Sequence, residues 1–317
     1  MPDKPLIAAN NLSRYYGGHC AVDDISFELR AGDILGFLGP NGAGKSTTMQ
    51  MLSGNLAPNA GEIAIDGIDL FDRPGAAKAA LGYLPETPPL YKEMSVDEYL
   101  VYCAKLHRLN KSERKDAVEL AKTRCGLTTS GKRLIGNLSK GFQQRVGIAQ
   151  AIVHSPRVII LDEPTVGLDP IQIREIRELM VELGKTHGII LSTHILPEIE
   201  AVCNRVQIIH EGRLVYSAGL DELLRKQLSG LYELTLASPP PMNDLGAMKG
   251  FVHVEALGDN DFIVHTDIGA QALARRAVEN GWGLSRLTPH ERTLEQIFVD
   301  LTLGDKTGGA VHEDERA

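Results

Sequence analysis

No stretch of the 317-residue sequence approaches the run of roughly 18 apolar residues that a membrane-crossing helix needs. The opening Met1-Pro2-Asp3-Lys4-Pro5 lacks the basic-then-apolar order of a secretory signal. Cysteine is scarce: Cys20, Cys103, Cys125 and Cys203 are scattered and form no Cys-x-x-Cys pair. Free, buried thiols in a reducing compartment are therefore expected, rather than disulfides or a metal site. The ten histidines show no His-Glu-x-x-His spacing. A basic excess is missing too. The formal net charge is −8, which argues against a nucleic-acid partner, because a phosphate backbone is held mainly by clustered Lys and Arg. There is no internal repeat.

What remains is an ordinary globular composition, 43% hydrophobic and 23% charged, long enough for one large α/β domain and a smaller one. Up to about Ala218, apolar runs alternate with amphipathic stretches. Ile34–Leu38, Val158–Leu161, Ile189–Leu191 and Val206–Ile209 are short, apolar and bounded by turn residues, as suits parallel strands covered on both faces. Leu6–Asn10, Ile25–Leu29 and Glu62–Ile65 read as strands of a more antiparallel layer. Between Tyr91 and His154 the pattern turns helical. Ser95-Val96-Asp97-Glu98 has capping-box spacing, opening a helix to Leu106, and a second is expected from Ser112 to Arg124, stopped by Gly126.

After Leu220 a charged helix is expected, and then the composition shifts. Pro239-Pro240-Pro241 marks a loop. Around it the expected order is strand Tyr232–Leu236, helix Asn243–Met248, strands Phe251–Leu257 and Phe262–Thr266, helix Ala270–Asn280, strand Leu284–Leu287 and helix Leu294–Leu301. That β-α-β-β-α-β order with a closing helix fits a small ferredoxin-like α+β domain. The expected division is 1–230, 231–303 and a flexible tail at 304–317.

Gly39-Pro40-Asn41-Gly42-Ala43-Gly44-Lys45-Ser46-Thr47 matches the phosphate-loop pattern G-x-x-x-x-G-K-[ST], between an expected strand and an expected helix. Its glycines let successive backbone N–H groups turn inward to cradle phosphates at the positive end of the helix. Lys45 is expected to neutralise the β- and γ-phosphates of ATP, and the Ser46 hydroxyl to ligate Mg²⁺. Val158-Ile159-Ile160-Leu161-Asp162-Glu163 supplies the second half: a buried strand delivers two carboxylates to its carboxyl end. Asp162 is expected to hold Mg²⁺ through water, and Glu163 to orient and polarise the water that attacks the γ-phosphorus.

Between these motifs lies Leu138-Ser139-Lys140-Gly141-Phe142-Gln143-Gln144-Arg145. It resembles the signature of ATP-binding cassette (ABC) proteins, usually Leu-Ser-Gly-Gly-Gln, with Lys140 in place of the first glycine and Phe142 in place of the glutamine. The resemblance covers roughly residues 5–225 and implies an ABC-type ATPase domain with a parallel sheet core, an antiparallel β layer and a helical subdomain. It also implies that Tyr16 stacks on adenine, with adjacent Tyr15 a competitor for that role. Ser139 and the Gly141 amide would close on the γ-phosphate held by a second ATPase subunit, Gly167-Leu168-Asp169 would link the two sites, and His194 would contact the γ-phosphate. Glu86 stands where the family usually has a glutamine and would act at the metal. The form Tyr83-Leu84-Pro85-Glu86, with the closing Glu291-Arg292-Thr293-Leu294-Glu295-Gln296-Ile297-Phe298, resembles the type-2 exporter group near the gliding-motility and multidrug-export branch. On that resemblance the chain is a cytoplasmic subunit held at the membrane by a separate permease, with a second ATPase subunit as its partner, either another copy in a homodimer or a different chain. Family members that act on ribosomes or in DNA repair usually carry two cassettes, coiled-coil inserts or zinc sites, none of which this sequence has.

Overall fold

The computed structural model describes residues 4–220, 222, 230–246, 248, 250–290 and 294–303. They divide into two compact units, with the boundary after Leu220. The charged helix expected there lies, apart from Glu222, outside the described residues, as do Glu291–Thr293 and the tail expected from Gly304.

The first unit opens with β1 (Ile7–Tyr16) and β2 (His19–Leu29), an antiparallel hairpin, followed by β3 (Ile34–Leu38) and α1 (Lys45–Leu52). Next come β4 (Ala60–Ile65), β5 (Ile68–Asp69), α2 (Pro74–Ala79) and β6 (Leu81–Leu84). The helical stretch holds α3 (Val96–Leu106), α4 (Lys111–Arg124) and α5 (Lys140–Ile152). The unit closes with β7 (Val158–Asp162), α6 (Pro170–Gly184), β8 (Gly188–Thr193), α7 (Leu196–Val202), β9 (Arg205–His210) and β10 (Arg213–Gly219).

Two sheets result. One is antiparallel, in the order β2-β1-β4-β5, and the other runs β10-β9-β3-β8-β7-β6, parallel throughout except for the β9–β10 pair. Every residue of β3, β7 and β8 is buried, which is why these segments are continuous apolar runs and not alternating ones. Each fully buried Leu or Ile there contributes about 1.5–3 kcal/mol of transfer free energy. Leu35, Phe37, Ile160 and Ile190 share one core cluster with Ile7, Leu12, Ile63 and Ile65 of the antiparallel sheet, so the two sheets pack on common ground.

The helical stretch is set by its caps. The Ser95 hydroxyl accepts from the Glu98 amide at 3.3 Å, and Glu98 Oε2 accepts from the Ser95 amide at 2.8 Å. That reciprocal pair holds the Glu98 carboxyl below its ordinary range. After α4 the chain reverses at Gly126, whose φ of 67° is left-handed.

Three strands went unanticipated, the two-residue β5 as well as β6 and β10. At β6, Gly82 lies so close to the Ala151 carbonyl that any Cβ would collide with it. The hairpin joining β9 to β10 turns on Glu211 and Gly212, both left-handed at φ 47° and 82°, the backbone of a tight two-residue turn. The cysteines are free, as expected, but only Cys103, Cys125 and Cys203 are buried; Cys20, on a β2 rim position, is half-exposed.

The second unit comprises β11 (Leu231–Leu236), α8 (Met242–Gly246), β12 (Phe251–Ala256), β13 (Asp261–Thr266), α9 (Gly269–Glu279), β14 (Leu284–Pro289) and α10 (Leu294–Leu303). Its four strands form an antiparallel sheet in the order β12-β13-β11-β14. Leu234, Leu236, Phe262, Val264, Leu273 and Trp282 make a core of its own. Pro239–Pro241 lie in the loop before α8.

Candidate functional site

The parallel sheet decides where chemistry can collect. β3, β8 and β7 are neighbours, and their carboxyl ends deliver, side by side, the loop starting at Gly39, His194, and the pair Asp162–Glu163. A cleft of about 470 Å³ opens at that edge. Asn41, Gly42, Gly44, Lys45, Ser46 and Thr47 line it together with Glu86, Glu163 and His194. Tyr16 lines the cleft, whereas Tyr15 does not. The Arg14 guanidinium lies 5.0 Å from the centre of the Tyr16 ring.

The loop 39–44 takes its shape from glycine. Gly42 and Gly44 have φ of 81° and 107°, so a side chain at either would be strained. Gly44 caps α1 without any side-chain hydrogen bond, and the first turn of α1 carries no acid, so the free N–H groups keep their positive end. Ala43 is packed into the core behind the loop. Lys45 is buried and points back along it: Nζ donates to the Gly39 carbonyl at 2.8 Å and the Pro40 carbonyl at 3.2 Å. Nζ also lies 3.7 Å from Glu163 Oε1. Burial pulls the Lys45 ammonium below its ordinary value, opposed by the charges of Glu163, Asp162 and Glu86.

Asp162 ends β7 almost wholly buried, and its Oδ1 has no hydrogen-bond partner among the described residues. Burial raises its pKa, and the charges of Glu163 and Glu86 push the same way. Glu163 has a left-handed backbone, φ 49°, a conformation that costs about 1–3 kcal/mol and persists only where its surroundings enforce it. Its amide donates to the Ser192 carbonyl at 2.9 Å. Its carboxylate meets His194 Nδ1 at 3.0 Å through both oxygens. Glu86 follows β6 and is exposed at the mouth.

Ser139 and Gly141 are not in this cleft. Ser139 caps α5, its hydroxyl accepting from the Phe142 amide at 3.4 Å, and the first turn of α5 carries no acid. Gly141 is held against Gln172, and the Lys140 ammonium occupies the space a side chain on Gly167 would fill. Three cleft residues went unread in the sequence: His19, Ala21 and Val166. The first could have been found from the β1–β2 hairpin, which pairs Tyr16 with His19.

A strand, a glycine-rich loop and a helix that present N–H groups and a lysine, with two carboxylates on a nearby parallel strand, define a phosphate-loop ATPase. Residues 22–166 match the family model described as ABC transporter. The chain is 37% identical over 307 residues to the bacitracin transport ATP-binding protein of Bacillus licheniformis, covering 96% of this chain and 99% of that one. It is 32% identical over 309 residues to the linearmycin resistance ATP-binding protein of Bacillus subtilis, covering 94% and 98%. A solved ATP-binding subunit of an ABC transporter superposes with a TM-score of 0.64 at 34% identity, over 70% of this chain and 93% of that one. The chain belongs to the ABC transporter family as an ATP-binding subunit, an ATPase whose hydrolysis drives transport through a separate permease. No helix among the described residues is long and apolar enough to cross a membrane itself.

Proposed function

We propose that two copies of this chain close head to tail on two ATP molecules and power export through a membrane permease that holds them at its cytoplasmic face. One observation carries the reading: the cleft offers phosphate-loop, carboxylate and histidine groups, while Ser139 and Gly141 sit elsewhere on an uncompensated helix N-terminus. A second copy supplies what the first lacks. The N–H groups of residues 41–47 cradle the phosphates, and Tyr16 stacks adenine on the ring face away from Arg14. Ser139 and Gly141 of the opposite copy cap the γ-phosphate.

Asp162, Ser46 and Glu86 are hard oxygen donors, and the unpartnered Asp162 Oδ1 suits a cation's hydration shell, so the residues fit Mg²⁺. When bound, Mg²⁺ supplies charge neutralisation at the β- and γ-phosphate oxygens. Glu163 holds and polarises the attacking water, and His194 fixes the Glu163 carboxylate and reaches the γ-phosphate. ATP favours the closed pair and its hydrolysis the open one, and that difference moves the permease. We assign residues 1–230 to the ATPase domain and 231–303 to an accessory domain. The strand order β12-β13-β11-β14 and antiparallel pairing support a ferredoxin-like sandwich for the latter. Export is favoured by the relatives, whose names record bacitracin transport and linearmycin resistance.

Affinity purification of the full chain from detergent-solubilised membranes tests the reading. A polytopic membrane protein is expected to co-purify at a fixed ratio, and recovery of the chain without one contradicts it.

Glu86 makes a narrower prediction. Glu86→Gln restores the family's usual amide at an exposed position, so ATP affinity is expected to persist and turnover to change by less than about tenfold. Loss of ATP binding in that variant rules out the assignment.

A further inference from the structure

Glu198 lies on α7, and no part of it reaches solvent. A carboxylate is buried at a cost unless its oxygens find donors. Both do. Oε1 accepts from the Thr165 hydroxyl, and Oε2 accepts from the Thr193 hydroxyl at 2.8 Å. No ion pair reaches Glu198 among the described residues, so its two oxygens serve two hydroxyls and nothing else.

The positions of those threonines give the arrangement its meaning. Thr165 is two residues past Glu163, and Thr193 immediately precedes His194. The Thr193 oxygen also accepts from the Ile195 amide at 3.1 Å, tying the chain on both sides of His194 to one point. On the cleft side, Glu163 and His194 meet at 3.0 Å, and the Glu163 amide bonds to the Ser192 carbonyl. A closed ring follows: Glu163, Thr165, Glu198, Thr193, His194 and back to Glu163. The left-handed backbone at Glu163 needs such support, because a strained conformation persists only where its neighbours over-determine it. α7 is itself fixed in place, since Ile199 fills the space above Gly36 on β3.

We infer that Glu198 is a positioning residue that, through Thr165 and Thr193, holds Glu163 and His194 in register for hydrolysis. The inference rests on the role proposed for Glu163. Glu198 does not line the cleft; it sets the separation and aim of two groups that do.

The test uses the purified full chain, with ATP affinity, single-turnover hydrolysis and melting measured on each variant. Glu198→Ala is expected to lower the hydrolysis rate on the order of 10- to 100-fold, the scale of a small misplacement of reacting groups. ATP affinity is expected to stay within about threefold, since the phosphate loop is untouched. Glu198→Gln can accept from one threonine and donate to the other, so it is expected to keep most of the rate. Thr193→Val keeps volume and removes one hydroxyl; it is expected to slow hydrolysis in the same direction, and it decides the matter if Glu198→Ala does not fold. In a Glu163→Gln background, Glu198→Ala is expected to cost less than it does in the wild-type chain, because the part of its effect that acts through Glu163 is already lost. Rates within about twofold of wild type for Thr193→Val and any folded Glu198→Ala overturn the inference, as does an equal further loss in the Glu163→Gln background. Wild-type turnover by Glu163→Gln alone is a separate failure: it removes the role of Glu163 and the inference with it.

Discussion

Glu163→Gln is expected to lower ATP turnover by about 100- to 10,000-fold, the usual worth of a positioned general base, while ATP affinity stays within a few-fold. The substitution keeps the size of the side chain and its hydrogen bond to His194 at 3.0 Å. What disappears is the negative charge that polarises water. The nucleotide contacts proposed for Tyr16 and the loop at 41–47 involve other residues of the cleft lining, and these are expected to survive. Catalysis lost with binding kept is the pattern of an interaction made mainly in the transition state. Turnover assays with equilibrium binding of labelled ATP check both halves. Near-normal hydrolysis takes Glu163 out of the mechanism.

The second large effect is expected at Lys45. Lys45→Ala removes the buried cation beside the phosphate positions and leaves the Gly39 and Pro40 carbonyls without their donor. The loss reaches further than one contact. Lys45 lies amid the charges of Glu163, Asp162 and Glu86, and without it those carboxylates repel an incoming polyphosphate. ATP affinity is therefore expected to fall by at least about tenfold and hydrolysis to be lost. Calorimetric titration with ATP, beside a melting curve to verify folding, measures this. Unchanged affinity would falsify the assignment of Lys45 to the phosphates. Glu163→Gln and Lys45→Ala thus separate two kinds of damage, one confined to the chemical step and one shared by binding and chemistry.

The parts of this protein legible in its sequence are those where one physical demand fixes the residues. β3, β7 and β8 are buried on both faces, and only apolar runs satisfy that. The loop at 39–44 needs left-handed backbone, and glycine marks it. The Ser95–Glu98 cap needs a hydroxyl and a carboxylate three residues apart. β6 was hidden because its four residues include a glycine forced by the Ala151 carbonyl, which reads locally as a turn. β10 was hidden because it is a half-exposed edge strand whose apolar run, Leu214-Val215-Tyr216, is only three residues long. In the site, motif residues announced themselves, but Val166 and Ala21 enter the cleft only through the path of the chain. Glu198 gave no signal at all, since a glutamate on a short helix is ordinary until its burial and its two threonine partners are seen. The choice between Tyr15 and Tyr16 needed the β1–β2 pairing to turn one of them into the cleft.

The claim on which the rest depends is that ATP is held between two copies of this chain, with Ser139 of one copy facing the cleft of the other. Light scattering of the Glu163→Gln chain, with and without ATP and Mg²⁺, measures it most directly, because blocked hydrolysis lets the closed pair accumulate if ATP binds it better than separate chains. The apparent mass is expected to double on addition of ATP, and to remain that of one chain when Ser139→Ala is added to Glu163→Gln. A chain that binds ATP yet keeps the mass of one copy, or a doubling that Ser139→Ala leaves intact, contradicts it.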